Sequence, residues 1–192
     1  MTTAHPRAPR LVLLYSPAPG SGKSTLADYL VEQHGFTAIK FADPLKDLIR
    51  VLLFDHCGID HATTERYVDG DLKEVTIPEL GVTSRHLQQT IGTDWMRDRV
   101  RKDGWVHIAR QRIARLLASG QDVVVDDMRF PNELEMGLDF GGQAFRIERR
   151  GTLRNTKHVS EGGLDDVPMQ VIHNDGTIAD LALAVDRVLG YA

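Results

Sequence analysis

Apolar and polar positions along this chain fall into blocks whose period switches repeatedly. Residues 11–15, LVLLY, are a continuous apolar run of the length expected for a strand buried on both faces. Residues 25–34 then place Leu26, Ala27, Tyr29, Leu30 and Val31 at helical spacing, and Gly35 supplies a stop. A second strand is predicted over 37–41, a turn over 42–44 and a helix over 45–54. Between 55 and 84 the period weakens and charges crowd in, which suits a functional insertion better than a structureless loop. Helical spacing resumes at Arg85 with HLQQTI, and Thr93 or Asp94 is expected to cap a short helix over 95–100. A longer amphipathic helix follows over 105–118. Residues 122–126, centred on three valines, read as a strand, and 131–140 as a helix with proline in its first turn. Residues 143–148 are a further strand, 151–168 are polar and irregular, 171–173 a last strand and 178–189 a closing helix.

Strands alternating with helices over the whole length predict an α/β fold, a parallel sheet of about five strands with helices on both faces. Ligand sites in such folds lie at the carboxyl ends of strands. After the first strand stands Gly20-Ser21-Gly22-Lys23-Ser24-Thr25, in the strand–loop–helix order of a phosphate-binding P-loop. Its amides and the positive end of the helix suit polyphosphate oxygens. Lys23 would reach the β- and γ-phosphates, and the Ser24 hydroxyl would ligate Mg2+. Pro17 stands where the motif asks for glycine, which a negative φ accommodates.

Asp126 and Asp127 end the valine strand as a Walker-B carboxylate pair would. One can hold a Mg2+-bound water and the other can activate an acceptor, with the choice left open. Arg129 follows, suited to an acceptor phosphate. Arg149 and Arg150, at the end of another strand, can neutralise a phosphoryl group in flight, and the polar segment beyond can act as a lid. Arg85 and Gln89 can share one helix face, or both can be ordinary exposed side chains. Asn174-Asp175-Gly176 is a turn before a helix, or a contact to a purine base.

Composition changes this picture little. The chain has 192 residues, 42% hydrophobic and 26% charged, with a formal net charge of −4, so nothing global argues for nucleic acid as a partner. The single cysteine, Cys57, excludes an internal disulfide and a cysteine-based zinc site. Residues 1–10 carry two prolines and no apolar core, and are expected to be a frayed leader rather than a signal peptide or membrane span. No histidine pattern suggests a metal site.

The ordered set of motifs resembles the bacteriophage deoxynucleoside monophosphate kinase family. It comprises the P-loop, FADPLKD from Phe41, RHLQQTIGTD from Arg85, Trp105-Val106, DDMR from Asp126 with Glu133 following, Arg149, KHVSEGGL from Lys157 and HNDGT from His173. The resemblance implies a P-loop kinase three-layer sandwich over 11–192, with 55–84 covering the acceptor and 149–168 as the lid. It implies transfer of the ATP γ-phosphoryl group to a dNMP, with Mg2+, in the cytoplasm (the host's, if phage-encoded). Lys46, Arg85 and Arg129 would grip the acceptor phosphate. Phe41, Gln89, Asp94, Trp105 and Asp126 would lie on the acceptor side, Arg149 and Arg150 would serve the lid, and Asn174 and Asp175 would lie near the adenine. Partners are then ATP and a dNMP, with no membrane, and a homodimer is left open. Two other readings compete: a P-loop kinase of another acceptor, such as a modified base in DNA or a small metabolite, and a non-catalytic nucleotide-sensing module. The second would not need Arg129, Arg149 and Arg150.

Overall fold

The structure, a computed structural model, describes residues 7–152 and 163–191. In chain order its elements begin with β1 (Leu11–Tyr15), α1 (Lys23–His34), β2 (Thr37–Ile39) and α2 (Asp43–Val51), which runs on as a π-helical turn, Leu52–His56. Then come α3 (His61–Val68), β3 (Thr76–Ile77), β4 (Val82–Thr83) and α4 (Ser84–Gln89), the last continued by a π-helical stretch, Thr90–Val100. The remainder is α5 (Gly104–Ala118), β5 (Val123–Val125), α6 (Pro131–Asp139), β6 (Gln143–Glu148), β7 (Gln170–His173) and α7 (Ile178–Leu189). Phe41–Ile108 forms one compact unit and the rest of the chain another.

The larger unit holds a five-stranded sheet in the order β2-β5-β1-β6-β7, with every pair parallel. β1 takes the centre because all five of its residues are apolar and buried, and the three valines of β5 beside it are fully enclosed. Strands apolar on both faces need helices on both. On one face α1 and α7 contribute Leu26, Leu30, Leu181, Val185 and Leu189 to a core with Val12, Leu14, Val124, Phe145, Ile147 and Ile172. On the other, α6 lies so close to β1 that a Cβ at Gly137 would stand 2.4 Å from a Leu13 methyl. This is the α/β layered sheet that the alternation predicted.

The amino end corrects one expectation. Residues 1–6 lie outside the described part, but 7–10 are tied down rather than frayed. Arg7 forms an ion pair with buried Asp122, the Arg10 N–H donates to the same carboxylate at 2.7 Å, and the Arg10 guanidinium donates to the Leu189 carbonyl at 2.6 Å. α7 starts where Thr177 and Asp180 exchange hydrogen bonds, the Thr177 N–H donating to Asp180 at 2.8 Å and the Asp180 N–H to Thr177 at 3.2 Å.

The smaller unit has its own core of Leu45, Ile49, Leu53, Tyr67, Val68, Ile77, Met96 and Trp105. Three local expectations change here. α2 begins at Asp43 rather than Leu45, because Pro44 sits in the first turn, where a missing N–H costs nothing. The segment 55–84 contains α3, capped by Asp60 accepting from the Thr63 N–H at 3.0 Å, and an antiparallel hairpin pairing Thr76 with Thr83. Neither Thr93 nor Asp94 caps a helix. Both lie within Thr90–Val100, and the cap belongs to Thr83, whose hydroxyl accepts from the His86 N–H at 3.1 Å.

Candidate active site

Between β1 and α1 the chain makes the glycine loop. Gly20 and Gly22 hold positive φ, 72° and 99°, while no described non-glycine residue does, so Pro17 sits comfortably at its position. The Ser16 hydroxyl stiffens the turn, donating to the Ala18 carbonyl at 2.9 Å. α1 opens at Lys23 with Gly22 as its cap, a residue with no side chain to bond the helix's first amides, which is the geometry that receives an anion.

The charges gather around this opening. Burial pushes the Lys23 ammonium below its ordinary pKa of 10.5 and the Arg129 charge adds to that, while Asp126 and Asp127 pull the other way. Those four groups therefore share one electrostatic neighbourhood. Asp126, buried at the end of β5, accepts from the Ser24 hydroxyl at 3.1 Å, and Lys40 at the end of β2 approaches the same oxygen to 3.4 Å. The other carboxylate oxygen of Asp126 is buried with no hydrogen-bond partner among the described residues. An acceptor oxygen left so is costly, and a divalent cation beside it would satisfy it. Ser24 and Asp126 are hard oxygen donors, so the residues present fit Mg2+.

Arg129 is placed through its backbone. Its N–H donates at 2.7 Å, and that of Phe130 at 3.0 Å, to the carboxylate of Glu133, which is 2% exposed at the start of α6.

A cavity of about 430 Å³ opens over the loop, lined by residues 20–25 together with Arg149, Asn174, Gly176, Ile178 and Leu181. Arg149 and Arg150 thus part company. Arg149 faces the cavity, whereas Arg150 is on the surface, its N–H donating to Asp175 at 2.7 Å and its Nε pairing with the same carboxylate at 3.0 Å. Asn174 is buried and its side-chain amide donates to the Ser21 carbonyl at 2.8 Å. The cap of α7 is Thr177, so the turn reading of 174–176 is incomplete: both side chains bind neighbouring loops. Of the segment expected to form a lid, 153–162 lie outside the described residues, including Lys157 of KHVSEGGL. Beyond them, Arg146 donates to the carbonyls of Leu164 at 2.8 Å, Asp165 at 2.7 Å and Val167 at 2.9 Å, and the Tyr15 hydroxyl donates to Asp165.

In the smaller unit Lys46 forms an ion pair with Asp69, and Arg50 holds Asp69 at 2.9 Å and Glu65 at 2.7 Å. Arg85 pairs with Glu74 at 2.7 Å. Gln89 and Asp94 are exposed, and Phe41 and Trp105 are core residues, the Trp105 indole donating to the Gly92 carbonyl at 2.9 Å. Sequence reasoning missed Lys40 and the apolar wall of Ile178 and Leu181, and named Glu133 in a motif without its role in holding the Arg129 backbone. Lys40 follows β2 directly, so the strand-end rule could have found it. Ile178 and Leu181 carry no local signal.

The sequence model of a family described as deoxynucleotide monophosphate kinase matches residues 73–185, more than half of the chain. The chain belongs to the deoxynucleotide monophosphate kinase family. A relative from Acanthamoeba polyphaga mimivirus that carries the family's name is 30% identical over 175 residues, 84% of this chain and 86% of that protein. The deoxynucleotide monophosphate kinase of Escherichia phage RB69 is 30% identical over 110 residues, which cover 55% of this family member and 44% of the phage protein. Among solved structures, a dephospho-CoA kinase from Campylobacter jejuni shares the fold, with a TM-score of 0.50 at 14% identity, covering 94% of this chain and 95% of that one.

Proposed function

We propose that this chain transfers the γ-phosphoryl group of ATP to a deoxynucleoside monophosphate, giving the diphosphate. Family membership supports the reaction class. The observation that carries the donor side is the cavity over the P-loop, where Lys23, Ser24 and Arg149 face one space and Ser24 holds Asp126. Lys23 would meet the β- and γ-phosphate oxygens, and Arg149 and Arg129 would offset charge on the transferring group. Ser24 and Asp126 would hold Mg2+, which supplies charge neutralisation between the donor's phosphates. No strong base is required, because such transfers proceed mainly by positioning and neutralisation, and Asp127 serves to orient the acceptor.

Within Phe41–Ile108, Lys46, Arg85, Gln89 and Asp94 are assigned to acceptor recognition. Lys46 and Arg85 already have carboxylate partners, so an acceptor phosphate would replace Asp69 or Glu74. The viral origin of the relatives supports the cytoplasm of an infected host as the place of the proposed activity. Incubation with labelled ATP and each of the four common dNMPs, with duplex DNA as a parallel acceptor, tests the reading. Transfer to at least one free dNMP is expected. Label on DNA alone, or on nothing, refutes it.

A further inference from the structure

Asn174 and Asp175 stand side by side and bind two different parts of the candidate site. Asn174 follows β7, and its N–H donates to the Glu148 carbonyl at 2.8 Å, so its backbone is fixed by the sheet. Its buried side chain then donates to the Ser21 carbonyl at 2.8 Å, inside the phosphate loop. The approach is as close as the loop's residue types permit, since a Cβ on Gly22 would stand 2.3 Å from the Asn174 amide nitrogen. Asp175 points the other way. One oxygen accepts from the Arg150 N–H at 2.7 Å and the other pairs with the Arg150 guanidinium at 3.0 Å. The Arg150 side chain is 91% exposed, so solvent screens the ion pair, and the hold on the backbone N–H is the stronger part.

We infer that Asn174 and Asp175 are positioning residues, a brace that sets the P-loop backbone on one side and the Arg149–Arg150 turn on the other. The inference deepens the proposed kinase reading and rests on it for its catalytic meaning. Asn174 acts on bound phosphate through the carbonyl of Ser21: with that carbonyl pinned, the neighbouring amides keep the orientation that receives anionic oxygens. Asp175 acts through the backbone of Arg150, which keeps Arg149 on the wall of the cavity. The bonds of the brace go to protein groups, the Ser21 carbonyl and the Arg150 N–H, and the wall beside them is the apolar pair Ile178 and Leu181. The brace therefore serves any triphosphate alike, whatever its base.

A ligand without a base separates the two roles. Calorimetric titration of tripolyphosphate and of ATP into wild type and N174A is expected to show both affinities falling by the same factor, about tenfold for one lost hydrogen bond in a buried site. N174L keeps the volume without the donor and reads the same contact if the smaller variant does not fold. Loss of ATP affinity with tripolyphosphate binding intact would overturn the assignment, because the residue would then be contacting the base. For Asp175, D175A is expected to lower kcat about tenfold with the KM for ATP nearly unmoved, and D175N to recover most of that loss, since its carbonyl still accepts the Arg150 N–H. Equal damage in the two variants would overturn the backbone role. The ratio of kcat/KM between ATP and GTP should stay constant across the series. A wild type that binds neither tripolyphosphate nor ATP would bring down the donor-site reading itself, and the brace with it.

Discussion

At the scale of single residues, Lys23 sets the behaviour of the site. Its ammonium is half-buried, has Arg129 for a neighbour, and sits below its ordinary pKa. A bound polyphosphate would reverse that, raising the pKa by pairing with the charged form. The linkage has a definite sign. Between the depressed value and the ordinary 10.5, the free protein leaves part of Lys23 neutral and the complex charges it, so ATP binding takes up protons on the alkaline side. Titration in two buffers of different ionisation enthalpy should show this uptake in wild type and none in K23M. The same variant should lose turnover while melting as a folded protein, and retained activity would remove Lys23 from the mechanism. The loop was legible in the sequence because its function rests on six consecutive residues. The brace was not, because the bond from Asn174 to Ser21 spans 153 positions, and nothing near either residue announces the other.

Elements show where periodicity suffices and where it fails. β1 and β5 were readable because a strand buried on both faces is apolar throughout. α3 was not, since charges cover its exposed side and only Thr64, Tyr67 and Val68 are buried. Helical spacing was read at 85–91 and 95–100, but the continuity from α4 through Thr90–Val100 was missed, because a π-helical register shifts the spacing that a 3.6-residue period expects. α6 supplies a test of packing. Alanine at Gly137 would gain about 1 kcal/mol in helix propensity. Against this, its Cβ would meet the Leu13 methyls at 2.4 and 2.6 Å, and Leu13 is fully buried with nowhere to turn. Overpacking of this kind costs about 1–3 kcal/mol, so a net loss is expected. Urea melts of G137A should show a lower midpoint with an unchanged slope; a rise in stability would mean that the helix stands off the sheet.

Over the whole molecule, the smaller unit shows how acids are held charged by their partners. Among the described residues, five acids of Phe41–Ile108 are held below their ordinary values. Arg50 holds Glu65, Arg66 holds Asp71, Arg101 holds Asp103, and the Thr63 N–H holds Asp60, while Asp69, which burial alone would raise, is kept low by Lys46. In the larger unit Asp180, bonded to Thr177, is held low in the same way. A depressed carboxylate adds stability that is complete above its ordinary value, 3.8 for aspartate and 4.5 for glutamate, and is lost as pH falls through the folded value. Most of these pairs are exposed and screened, so the effect is modest and shrinks with salt. Acid should nonetheless loosen the smaller unit first. Both tryptophans, Trp95 and Trp105, lie in it, so tryptophan fluorescence should change at a higher pH than the hydrogen-exchange protection of β1 and β5. Coincident transitions would refute the ordering.

The bond between Ser21 and Asn174 also has a consequence during synthesis. A ribosome makes the phosphate loop long before the partner that pins it, since 153 positions separate Ser21 from Asn174. β1 likewise waits for both of its sheet neighbours, because β5 and β6 come far later in the chain. A nascent chain halted before Asn174 should therefore ignore nucleotide, and competence should appear in one step once Asn174 has emerged.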